Sequence, residues 1–507
     1  MIKLFNPAKR AKSLYAGMMC VKRVTDSATA TNRLPWIFII FLFCSAGFSA
    51  TYYVATTGSD SNDGSVSSPL KSIAAAAGKV SAGDSIIIAA GAYTVSTTIN
   101  LTKSGTADRL IYLVNASNER PIFDCSSMSV GMRGIKLGGS YWHIRGLVVK
   151  GAGDNGLIIQ GKNNIVELCD FLENGDTGCQ LMNGAADNKI INCDSYCNRD
   201  SFEENADGFS PKMDVGSGNY FFGCRAWQNS DDGWDGYLRG ADNVSTRLEN
   251  CWCFKNGYRK DGSASTGNGN GYKIGGSDNK ALKHNFTLVR CLAFQNRVRG
   301  FDQNNNRGSM TLYNCTAFNN GVNYSIDGGS STLTAINCIA AGSGSNSLSG
   351  GTQKTNNLKA ETSDFVSVDP ASAMGPRKAD GSLPDITFMH LASGSKLIDA
   401  GTVIEDVAYN GSKPDLGCFE TGAPLAIFSP HPSPSSVFDN VPVFGRTIML
   451  FDLSGRMVMN AGPMATNLAA NKMSIGRGTF AAGKYLYKVV GGNSPACFSS
   501  LCQTNLH

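Results

Sequence analysis

Four aspartates fall within two short strings, Asn205-Ala206-Asp207-Gly208-Phe209 and Asn229-Ser230-Asp231-Asp232-Gly233-Trp234-Asp235. Asp207 and Asp232 each stand immediately before a glycine, and Asp231 and Asp235 flank Asp232. Carboxylates brought close together repel one another, and their pKa values rise unless a cation joins them. A hard dication meets that need, since Ca2+ accepts about 6–8 oxygen ligands, with water or backbone carbonyls completing the shell. Asx turns at loop corners would account for one or two of these acids but not for four. Further along, Lys273 lies in Gly269-Asn270-Gly271-Tyr272-Lys273-Ile274. Alone, it reads as a solvated lysine paired with Asp235 and Asp302. Beside a bound dication it becomes a Brønsted base for a proton α to a carboxylate.

These residues need a scaffold that brings positions tens of residues apart onto one face, and two ladders in the sequence supply it. Cys169, Cys193, Cys224, Cys251, Cys291 and Cys315 are each followed five residues later by Asn174, Asn198, Asn229, Asn256, Asn296 and Asn320, and Cys338 continues the series without its asparagine. Successive cysteines are 24, 31, 27, 40, 24 and 23 residues apart. A floor near 23 with variable excess describes a coil of fixed size carrying loop insertions. Stacked coils place equivalent residues about 4.8 Å apart. Cysteine then fills an inward position as a small hydrophobe, and asparagine fills a turn, bonding to backbone and to its stack neighbours. At that spacing the ladder thiols are too far apart for an unstrained disulfide, so free buried thiols are expected. No paired Cys-x-x-Cys knuckles favour a metal site instead.

The second ladder is glycine, at Gly156, Gly178, Gly208, Gly233, Gly271 and Gly300. Phe209, Trp234, Tyr272 and Phe301 follow it and are expected to stack inward. By strand alternation, Ser210, Asp235, Lys273 and Asp302 then face outward. The chemistry should sit on that face.

The fold class expected is all-β, a right-handed parallel β-helix with an N-terminal cap and a small C-terminal β-sandwich-like module. Glycine-rich composition (58 residues) with 17% charged residues suits short strands and tight turns better than long helices. Residues 51–120 read as the cap, including a short helix, and first coils. Residues 121–423 read as the β-helix, with a closing segment at 385–420. A Pro/Ser-rich linker spans 424–436, and 437–507 reads as a sorting or attachment module. Residues 1–50 join a basic stretch to an apolar run, Leu34 to Phe43, and end in small residues, the layout of a secretory signal peptide. That run is shorter than the ~20 residues of a membrane span. The leader holds seven Lys/Arg and one acid, so the remainder carries 38 basic against 39 acidic residues, and a nucleic-acid partner is not expected. An extracellular or cell-surface bacterial monomer is.

The strings Asn205–Lys212, Asn229–Asp235 and Gly269–Gly276 resemble the signature of polysaccharide lyase family nine, whose best-known members are pectate lyases. The resemblance covers roughly residues 51–400 and is strongest over 200–305. It implies Ca2+ on Asp207, Asp231, Asp232 and Asp235, Lys273 as catalytic base, and β-elimination on an acidic polysaccharide, pectate or polygalacturonate. Lys212 matches the family motif and is an expected substrate contact, and Arg299 and Asn304 lie near the same face. A β-helical polygalacturonase is the rival enzyme, although none of the five histidines has a Gly-His-Gly setting beside the acids. A non-catalytic glycan-binding solenoid is the rival from another class.

Overall fold

The computed structural model describes residues 49–422, except residue 118 and residues 329–331, together with the backbone of four strands nearer the C-terminus. The expected leader, the 424–436 linker and Cys497 lie outside the described residues. From Thr51 onward the chain winds through three parallel sheets of 12, 10 and 11 strands. Each turn contributes one strand to each sheet, so neighbouring strands within a sheet are one coil apart, giving the right-handed parallel β-helix expected. A helix, Ile73–Lys79, is capped by Ser72, whose side chain accepts from the Ala75 N–H, and buries Ile73, Ala76 and Ala77 in the core.

The cysteine ladder is inside: Cys169, Cys193, Cys224, Cys251, Cys291, Cys315 and Cys338 are buried free thiols. The asparagine ladder is continuous. The Asn174 side chain donates to Asn198 Oδ1 at 2.9 Å, Asn198 to Asn229 at 2.8 Å, Asn229 to Asn256 at 3.0 Å, Asn256 to Asn296 at 2.9 Å and Asn296 to Asn320 at 2.9 Å. Each amide thereby satisfies a corner that would otherwise bury unpaired polar atoms. A second amide ladder, Asn164–Asn188–Asn219, runs at 3.0 Å per step at another corner.

The residue before each ladder cysteine turns left-handed: Leu168, Asn192, Asn250, Arg290, Asn314 and Asn337 have φ between 50° and 60°, and Gly223 takes the same place at 61°. Asparagine and glycine adopt this region readily; leucine and arginine do so at some cost, which the packed coil sustains. Within the barrel, Phe209, Trp234, Tyr272, Phe301 and Tyr324 stack with ring centroids 4.8, 5.1, 5.0 and 4.9 Å apart. Offset stacking at coil spacing both fills the interior and fixes the axial register of the second sheet, where the aspartates and Lys273 are found.

Residues 361–422 run along the side of the solenoid. Phe365, Phe388, Leu391, Leu397 and Leu416 cover Trp252, Phe294, Phe318 and Ile339 on the outer face of the third sheet. The expected closing role for 385–420 gives way to this lateral one because those strands turn large apolar residues (Trp252, Phe254, Leu292, Phe294, Phe318) outward and keep small ones (Cys253, Ala293, Ala317, Ala340) inside. A buried ionic lock pins the strap: Asp194 takes Arg225 at 2.7 Å and Arg377 at 2.6 Å, and Arg225 donates to the carbonyls of Ala373 and Gly375. Removing the carboxylate leaves two buried guanidinium groups uncompensated. Asp194→Ala should therefore cost about 3–5 kcal/mol, read as a lowered midpoint in urea unfolding; an unchanged midpoint would refute the lock.

Near the C-terminus, Thr447–Phe451, Met457–Ala461, Gly483–Val490 and Phe498–Thr504 form one four-stranded antiparallel sheet. These four strands are the described part of the region expected to hold a small β-sandwich-like module.

Candidate active site

The second sheet contains the strands Phe209–Pro211, Trp234–Asp235, Tyr272–Lys273 and Arg299–Asp302. Its register pairs Phe209 with Trp234, Trp234 with Tyr272, and Asp235 with Lys273, which in turn pairs with Asp302. With the aromatic rings turned inward, Asp235, Lys273 and Asp302 stand in one row outside the core. They do not meet bulk solvent. Lys273 is 8% exposed, Asp235 4% and Asp302 5%. Ser210, expected to face solvent on the same row, is fully buried and donates to Thr177.

A second row comprises the residues just before the ladder glycines. The Gly208 N–H donates to the Asp232 carbonyl, Gly233 to Asn270 and Gly271 to Arg299, so Asp207, Asp232, Asn270 and Arg299 ascend in register. Asp207, Asp231 and Asp232 converge: one carboxylate oxygen from each lies within 4.8 Å of the others. Asp235 is beside them but turned toward two amines, with Lys212 Nζ at 3.5 Å and Lys273 Nζ at 3.4 Å. Lys273 Nζ also stands 3.2 Å from Asp232, and Lys212 Nζ donates to Asp207 Oδ2 at 2.7 Å. The amine and the acid cluster thus meet at one place on adjacent coils.

Electrostatics follow from burial and crowding. Burial, opposed by Lys212 and reinforced by Asp235 and Asp232, raises the Asp207 carboxyl to about 7. Burial and the neighbouring Asp232 and Asp207 raise Asp231 to about 9. Burial, opposed by Lys273, leaves Asp232 at about 6. Asp235 goes the other way: its burial is outweighed by Lys273 and Lys212, and it stays ionised. Burial would lower the Lys273 ammonium, but Asp235, Asp232, Asp231 and Asp207 overcome it and hold the amine well above its ordinary range.

The three acids suit a cation. Asn270 Oδ1 is buried and accepts no hydrogen bond among the described residues, and the buried Asp232 Oδ2 has the Lys273 ammonium 3.2 Å away as its partner. The unpartnered Asn270 oxygen beside three crowded carboxylates makes a hard-donor set. Asn270 was missed from the sequence, although its place before Gly271 repeats that of Asp207 and Asp232. Tyr237 was missed too; its ring lies 5.6 Å from Lys273 Nζ and its hydroxyl donates to Asp278. Of the remaining expected contacts, Arg299 lies one coil past Lys273, its side chain 41% exposed and 3.6 Å from Asp302. Asn304 has φ 46° and donates to the Gly275 carbonyl, shaping a turn beside that row.

Known proteins resemble this chain in sequence and fold. Residues 52–337 match the family described as Pel9A-like, right handed beta helix region. Pectate lyase L of Dickeya dadantii (strain 3937) is 39% identical over 391 residues, covering 73% of this chain and 90% of that protein. Pectate lyase L of Paenibacillus polymyxa (strain SC2) is 36% identical over 439 residues, covering 78% and 96%. The crystal structure of pectate lyase Pel9A superposes with a TM-score of 0.68 at 38% identity, covering 73% of this chain and 96% of that one. The chain therefore belongs to polysaccharide lyase family nine and is a lyase built on that family's right-handed parallel β-helix.

Proposed function

We propose that this chain is an exported, calcium-dependent pectate lyase that cleaves polygalacturonate by β-elimination, with Lys273 taking the C5 proton. One observation supports this reading above the others: the Lys273 amine stands 3.2 and 3.4 Å from Asp232 and Asp235, directly against the three-carboxylate cluster. Asp207, Asp231 and Asp232 would hold the cation, with Asp235 and the orphaned Asn270 oxygen next to them. When bound, Ca2+ supplies positive charge that offsets the crowded carboxylates and draws electron density from the uronate carboxylate, acidifying C5–H.

The chain's own residues do the rest. Asp235, fixed between Lys212 and Lys273, aims the Lys273 amine along the outer row. Lys273 in its neutral form accepts the C5 proton. The C4–C5 double bond forms as the C4–O bond breaks, and the leaving oxygen takes a proton from water. Lys212 pins Asp207 and Asp235 from the opposite side, and the partly exposed Arg299 guanidinium is placed to receive a neighbouring uronate carboxylate. The curated relatives' names support the substrate class.

The test is an assay of the purified chain on polygalacturonate. An ultraviolet-absorbing unsaturated product should accumulate with Ca2+, stop with EDTA and resume when Ca2+ is restored. New reducing ends without that absorbance would instead indicate hydrolysis.

A further inference from the structure

The coils are not equal in length, and the excess falls beside the carboxylates. In ordinary coils the ladder asparagine and ladder glycine are four residues apart, as at Asn174–Gly178, Asn229–Gly233 and Asn296–Gly300. Two coils break this rule at the same corner: Asn198–Gly208 is ten apart and Asn256–Gly271 fifteen. They flank the coil of Asp231 and Asp232 on either side, so both insertions project next to the acid cluster.

The insertions meet at one side chain. Glu203, 3% exposed, sits in the first loop. Its carboxylate accepts from Arg259 Nε at 2.6 Å and Arg259 Nη2 at 2.9 Å, a two-pronged pair reaching across from the second loop. The Thr266 N–H, also in the second loop, donates to it at 2.9 Å, and Arg199 closes the set at 2.7 Å. Two residues beyond Thr266, Asn268 donates both its backbone N–H and its side-chain amide to Asp231 Oδ1, at 2.5 and 3.0 Å. Ser265 is anchored to the Ser230 carbonyl. One short segment, residues 265–268, therefore connects Glu203 to Asp231.

We infer that Glu203 is a positioning residue: by clamping the two inserted loops together through Arg259 and Thr266, it holds Asn268 on Asp231 and so keeps the Asp231 carboxylate aimed into the cation-binding cluster. This inference rests on the calcium reading of that cluster. The side-chain bonds of Glu203 and Arg259, beyond those to each other, run to Arg199, Ser263 and Thr266 and not to Lys273. The effect of the clamp should appear in cation affinity and leave the chemical step alone. Partners that orient metal-ligating side chains typically change affinity about 10–100-fold when removed.

The experiment is calorimetric titration of CaCl2 into the metal-free full-length chain, alongside turnover on polygalacturonate at saturating Ca2+. For Glu203→Gln and, on the more exposed side of the clamp, Arg259→Gln, the calcium Kd should rise about tenfold or more. In the same variants kcat at saturating Ca2+ should stay within about twofold of wild type. A lowered melting temperature with unchanged calcium Kd would make the clamp purely structural and overturn the inference, as would an unchanged Kd in a fully stable Arg259→Gln. If the wild-type chain itself takes up no Ca2+, the reading of the cluster fails instead, and the two failures are separable.

Discussion

Lys273→Ala should lose about 10²–10⁴-fold in turnover on polygalacturonate, the usual contribution of a positioned general base. Calcium uptake should persist, because the amine only borders the acid cluster at 3.2 Å from Asp232. Lys273→Arg tests the same point in a stricter way. Arginine keeps the positive charge and its pairing with Asp232 and Asp235, but it does not deprotonate in this pH range. If Lys273 served only as a cation for binding, arginine would substitute well; as a base, it should be nearly as inactive as alanine. Because a free lysine amine is largely protonated below about pH 10.4, the wild-type rate should climb toward alkaline pH as the neutral base becomes available. A sharp acidic optimum would contradict a lysine base.

The second large effect concerns the metal-free chain. Asp207, Asp231 and Asp232 have folded-state values of about 7, 9 and 6, all above the unfolded value near ~3.9. The folded chain therefore binds more protons than the unfolded one between these limits. Where that holds, stability falls as pH rises. On these three groups the metal-free protein is most stable below about pH 4 and loses stability progressively until about pH 9. Asp235, whose value is lowered, contributes in the opposite sense, losing stability only in acid. A dication joined to the three acids removes the penalty by stabilising their charged forms and the folded state that assembles them. The rise in melting temperature on adding Ca2+ should accordingly be larger at pH 9 than at pH 5. Scanning calorimetry at both values checks it; an equal rise at each pH would mean that the cation is held elsewhere.

Much of the scaffold was visible in the sequence because a coil of near-constant length forces like residues onto like positions. Cysteine and asparagine recur since one inward slot takes only a small side chain and one corner needs an amide. The same logic located the acids: the position before the ladder glycine is a row, and Asp207 and Asp232 occupy adjacent steps of it. Asn270 belongs to that row and was overlooked only because an amide does not announce a charge. Other features leave no periodic trace. The left-handed corners at Leu168 and Arg290 use residues that do not favour that conformation. The lateral strap binds through Arg377 to Asp194, about 180 positions apart in the chain, and nothing local to either marks the pairing. The Glu203 clamp is of the same kind: the unequal coil lengths showed where extra chain was inserted, but not that two insertions would grip each other. Nor does alternation reveal shielding: the row read as solvent-facing is buried.

The proposed reaction turns on an amine and a carboxylate-held cation addressing one sugar ring. The most direct measurement is a crystal structure of Lys273→Ala with Ca2+ and a galacturonate oligomer bound. The expected map shows the ion on Asp207, Asp231 and Asp232, and an uncleaved uronate whose C5–H points into the space vacated by the Lys273 side chain. An ion bound away from those aspartates, or a C5–H directed at some other basic group, would contradict it.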